Sequence, residues 1–72
     1  MTRDELIRRL RRLANERGVP FDVKPERGKG GHWYVRYGDI EQPVPQAKGR
    51  DLRTSTLHAI LRTFGLRRKD LE

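Results

Sequence analysis

The sequence predicts a small α+β domain of order α-β-β-β-α, a three-stranded antiparallel sheet with two helices on one face. Two observations carry this. Apolar residues recur at helical spacing near both ends of the chain, and in between they alternate with period two in short runs bounded by Gly and Pro. A three-strand meander cannot bury its apolar face unaided, so both helices are expected on the same side, leaving the opposite side uncovered. With 72 residues there is room for one two-layer core, so residues 1–72 are expected to form one domain with any site on its surface. Leu, Ile, Val and Phe make up 17 of the 72 residues, about 24%, above the range of under about 20% that marks disordered chains.

The first element is a helix opened by Thr2, with Glu5 at capping-box spacing. Leu6, Ile7, Leu10, Leu13 and Ala14 form its apolar stripe, Arg8, Arg12 and Asn15 point away, and Gly18 and Pro20 stop it. Phe21 and Val23 alternate with Asp22 and Lys24 between two prolines, the pattern of a short edge strand. A glycine-rich turn, Glu26-Arg27-Gly28-Lys29-Gly30-Gly31, leads into a second strand. There Trp33, Val35 and Tyr37 are expected in the core, with His32, Tyr34 and Arg36 on the other face. Gly38-Asp39 is a tight turn into a third strand, Ile40 to Val44, made irregular by Pro43. After a polar loop, Gln46 to Asp51, a second helix is expected to begin with Thr54 or Ser55 as its cap. Leu57, Ile60, Leu61 and Phe64 make its buried stripe, and Gly65 suits a left-handed end. Leu66 and Leu71 then tuck a short basic tail onto the core.

Charge narrows the function. Seventeen Lys and Arg against ten Asp and Glu give a net +7, and thirteen of the seventeen are Arg. Such an excess attracts polyanions, and the planar guanidinium pairs with phosphate in a two-pronged way that Lys cannot match. The chain has no cysteine, which excludes a disulfide framework, a thiol nucleophile and a cysteine-held zinc. The two histidines and scattered carboxylates make no metal-ligand motif, and neither a metal nor another cofactor is expected. The start of the chain has no signal-peptide pattern and no apolar run approaches membrane-spanning length, so a cytoplasmic address is expected.

The one catalytic candidate is His32. Imidazole exchanges protons near neutral pH, and the glycines before it let backbone N–H groups approach a phosphate closely. Cleavage of RNA by its own 2′-hydroxyl needs a group to take that proton, positive charge on the phosphate oxygens, and a donor for the leaving 5′-oxygen. His32 suits the first or third task; Lys29, Arg36 or the N–H groups of Gly28, Gly30 and Gly31 suit the second. On pattern alone, an ordinary strand histidine beside a hairpin is the stronger reading. Tyr34 is the better placed tyrosine for a ligand, Lys48 and Arg50 add charge from the polar loop, Trp33 is core, and His58 is a boundary histidine of the second helix.

A resemblance shifts that balance. Gly28-Lys29-Gly30-Gly31-His32, Gly38-Asp39, Val44-Pro45, Leu52, and Thr56-Leu57 through Ile60-Leu61 to Gly65-Leu66 resemble, in order and spacing, the HicA toxins. These are bacterial mRNA interferases of type II toxin–antitoxin systems. The resemblance spans nearly the whole chain and implies a fold like the double-stranded-RNA-binding domain, whose element order is the one predicted above. It implies His32 as the catalytic histidine, metal-independent cleavage of mRNA, and inhibition by a HicB-like antitoxin protein. Two departures stand out. Gly31 occupies the place where the family usually carries Ser, and Gln46 and its neighbours lack the histidine the family sometimes has after the third strand. The competing expectation is a non-catalytic RNA-binding module of the same fold.

Overall fold

The Thr2 hydroxyl accepts a hydrogen bond from the Glu5 N–H at 3.2 Å and opens helix α1, Arg3–Arg17, in a computed structural model that describes residues 1–25, 32–45 and 50–72. The reciprocal half of the capping box does not form. The Glu5 carboxylate instead accepts from Arg9 at 2.9 Å, one turn on. Leu6, Ile7, Leu10, Leu13 and Ala14 are all buried, as their spacing requires. The helix ends where Gly18 takes a φ of 67°, with the Val19 N–H returning to the Ala14 carbonyl at 2.8 Å. A left-handed residue at this point turns the chain and satisfies the last carbonyls, which is why glycine stands there.

Three strands follow, β1 at Phe21–Lys24, β2 at Trp33–Tyr37 and β3 at Ile40–Val44, paired antiparallel in the order β1-β2-β3. Tyr37 pairs with Ile40, so Gly38 and Asp39 make a two-residue turn, with the positive φ falling on the glycine at 65°. Such a turn matches the twist of the strands it joins. Pro43 sits in β3 opposite Tyr34; β3 is an edge strand, where a missing N–H removes no ladder bond. On the helix side of the sheet Val35, Tyr37 and Val44 are buried and Trp33 is partly so. Gln42 shares that side, and its amide donates to the Ile60 carbonyl at 2.8 Å, tying β3 to the second helix.

That helix, α2, spans Thr54–Thr63. It corrects one expectation: the cap is Arg53, which makes no side-chain capping bond, and not Thr54 or Ser55. The cause lies upstream. Asp51 bridges to Thr2 and the Leu52 N–H donates to the Met1 carbonyl at 2.8 Å, which holds the chain extended through Arg53. Leu57, Ile60, Leu61 and Phe64 are buried, and the Phe64 ring lies 5.7 Å from that of Tyr37. Gly65, at φ 76°, ends α2 as Gly18 ends α1, with the Leu66 N–H returning to the Leu61 carbonyl at 2.8 Å. A 3₁₀ turn, Arg68–Leu71, then buries Leu71 against α1. The architecture is thus the expected α+β fold, with both helices on one face of the sheet. Among the described residues, no helix is long and apolar enough to cross a membrane.

Candidate functional site

Strand alternation puts Tyr34 and Arg36 on the sheet face that no helix covers, and His32, just ahead of Trp33, is exposed at the head of the same strand. The register sets Lys24, Tyr34 and Pro43 in one row and Asp22, Arg36 and Glu41 in the next. Tyr34 is 40% exposed, an unusual degree for an aromatic residue in a central strand. Arg36 donates from Nε to the Gly38 carbonyl at 3.1 Å, which aims it along the strand. Lys24 reaches diagonally to Glu41, Nζ to Oε2 at 3.5 Å. The strands of the open face therefore carry two acids and two bases.

His32 is exposed, and among the described residues its side chain makes no hydrogen bond. Arg50 is exposed on the segment that leads through Asp51 to α2; no hydrogen bond or ion pair of the described residues joins it to His32. Gly28, Lys29, Gly30, Gly31 and Lys48, also expected to bind RNA, lie outside the described residues. His58 is exposed on α2, on a different element from His32. Among the described residues no group of three or more His, Cys, Asp or Glu could hold a metal ion.

Most arginines of the described residues lie on the helices and the tail. Along α1, Arg9 and Arg8 flank Glu5 at 2.9 and 3.8 Å, and Arg12 pairs with Glu16 at 3.2 Å. Arg17 lies 3.3 Å from Asp70 in the tail. The Arg67 N–H donates to Asp70 at 2.7 Å, and with Arg17 alongside, this holds the Asp70 carboxyl below the usual carboxylate range. Across the tail, His58, Leu61, Arg62, Leu66, Arg67 and Arg68 line an open cleft of about 310 Å³. Within the described residues Arg62, Arg67 and Arg68 form no ion pair. The sequence reading passed over this cleft, although a signal was present. His58 and Arg62 are four apart, hence on one helix face, and Arg67-Arg68 follow directly on the Gly65-Leu66 reversal.

Arg3 was passed over as well. It is 9% exposed, and its guanidinium stacks on Trp33. Helical spacing puts Arg3 on the same stripe as Leu6, Ile7 and Leu10, so its burial was legible in the period though not in the residue type. The arrangement offers chemistry of two kinds, proton transfer at an exposed imidazole and phosphate binding by guanidinium groups that form no ion pair among the described residues. No family model, curated protein or solved structure matches the chain.

Proposed function

We propose that this chain is an RNA-cleaving toxin of the HicA type, a cytoplasmic endoribonuclease in which His32 moves the proton. The observation that carries this reading is the position of His32, exposed at the head of β2 on the uncovered face, with Tyr34 and Arg36 beside it. The resemblance in motif order, the net +7 and the α-β-β-β-α order shared with the double-stranded-RNA-binding domain support it. In the proposed reaction the 2′-hydroxyl attacks the adjacent phosphorus while its proton is taken up. A P–O bond forms, the P–O5′ bond breaks, and the 5′-oxygen leaves with a proton, giving a cyclic phosphate and a 5′-hydroxyl end. His32 serves as the base or as the donor; Arg36 or Lys29 offsets the charge on the phosphate oxygens. A HicB-like antitoxin protein is the proposed partner. Tyr34, an exposed large hydrophobic residue of the open face, is the anchor such a protein would cover.

One observation favours the second reading, a non-catalytic RNA-binding module. The arginines of the cleft, without an ion pair among the described residues, lie on α2 and the tail and not on the open face. The test is cleavage of a fluorescent RNA in the presence of EDTA by the wild type and by His32→Ala. The nuclease reading expects cutting by the first, none by the second, and equal RNA affinity for both. Wild-type protein that binds RNA and leaves it intact establishes the module instead.

A further inference from the structure

The α2–tail cleft has no part in the proposed cleavage, yet three of its lining residues are arginines, Arg62, Arg67 and Arg68, and none of them forms an ion pair among the described residues. Arg62 comes from the last turn of α2, while Arg67 and Arg68 come from the reversed tail that Gly65 makes possible. Leu66 and Leu61, both buried, join the two walls through the bond from the Leu66 N–H to the Leu61 carbonyl. The guanidinium groups are thus carried on a braced frame. Of the acids nearby, Asp70 is already engaged by Arg17 and by the Arg67 N–H. Holding three like charges around one cleft works against folding, and a bound anion would relieve it.

We propose that this cleft is a binding site for the phosphate backbone of RNA, separate from the His32 face. Two features choose RNA over an acidic protein. Arginine forks match the paired oxygens of successive phosphates. A protein interface is anchored by large apolar or aromatic side chains, and the exposed ones of the described residues, Tyr34 and Ile40, stand in the sheet and not at the cleft. The cleft is open and shallow, a shape that admits a continuous strand. His58 lies at its rim, where its ring can face a base or a sugar.

The site is independent of cleavage and can be tested with His32→Ala, which keeps the RNA whole. The probe is a twelve-nucleotide single-stranded RNA titrated into isotopically labelled protein, followed by NMR, with affinity measured across salt concentrations. The amides and guanidinium groups of Arg62, Arg67 and Arg68 should shift first. Each phosphate contact adds about 0.7 to the slope of log affinity against log salt, so losing one contact weakens binding about five-fold at 0.1 M salt relative to 1 M. Arg62→Gln, Arg67→Gln and Arg68→Gln should each show that loss, with unchanged circular dichroism. Arg12→Gln, whose charge is already paired with Glu16 at 3.2 Å on α1, should leave the slope unchanged. Shifts confined to the open face overturn the proposal while leaving the nuclease reading intact. Binding at the cleft by protein that never cuts RNA supports the proposal and removes the nuclease. Equal binding of polyglutamate of matched charge overturns the assignment to RNA.

Discussion

The guanidinium of Arg3 lies 4.0 Å from the centroid of the Trp33 ring, and its Nη1 atom is buried with no hydrogen-bond partner among the described residues. The stack joins the first turn of α1 to the strand that carries His32. A cation over an indole contributes about 0.5–2 kcal/mol, whereas an unpaired buried donor costs about 1–3 kcal/mol. The two effects oppose each other within one side chain.

Arg3→Met is therefore expected to leave stability within about 1 kcal/mol, since it keeps the packing and removes the unpaired donor. Arg3→Ala, which removes both packing and stack, should lose about 1–3 kcal/mol. Urea denaturation followed by Trp33 fluorescence separates them. Equal losses for the two variants would mean that the charge, not the stem, supports Trp33.

The two faces of β2 should respond differently to truncation. Val35 is fully buried, and Val35→Ala should lose about 2 kcal/mol or more. His32→Ala should leave the thermal midpoint within a few degrees, because an exposed position contributes little packing. A large fall in midpoint for His32→Ala would attribute any loss of cleavage to unfolding.

Helix α2 starts on an uncapped arginine, a cation at the end where helix dipoles favour anions. Arg53→Asp supplies both an acceptor for the free N–H groups and the favoured charge, and should stabilise the protein by about 1 kcal/mol. Calorimetry checks this. A midpoint that fails to rise would show that Arg53 makes a compensating contact.

Asp70 gives the fold an acid limb. Its carboxyl is held below its ordinary value first by the Arg67 N–H and then by the nearby Arg17 charge. The native state therefore binds fewer protons here than the unfolded chain. The stability this confers is fully present above the unfolded carboxylate pKa and lost as pH falls through the lower folded value. Asp70→Asn should flatten stability against pH on the acid side. An unaltered acid limb would assign acid sensitivity to other carboxylates.

Periodicity carried most of the fold. The α1 stripe, the alternation through Trp33, Val35 and Tyr37, and the reversal at Gly65 each follow from a local rule, and neighbouring residues obey the same rule. The start of α2 did not follow, because a contact distant in sequence sets it: Leu52 bonded to Met1 overrides the capping preference of Thr54 and Ser55. The candidate site is legible in part. Tyr34 and Arg36 share a face because strand period dictates it, and His32 stands exposed just ahead of that strand. The Arg62–Arg67–Arg68 cleft needs the tail to fold back across α2, and no local pattern specifies where that tail comes to rest.

Pro43 has a consequence for self-association. A three-stranded sheet has two borders, and fibres grow only when both can accept a further strand. The β3 border lacks a donor at Pro43, which leaves β1 as the border open to pairing. β1 is four residues long, and two copies joined there, antiparallel about a two-fold axis, would exhaust the available border. Pro43 thus breaks the row of donors along one border of the sheet, and Pro43→Thr would restore it.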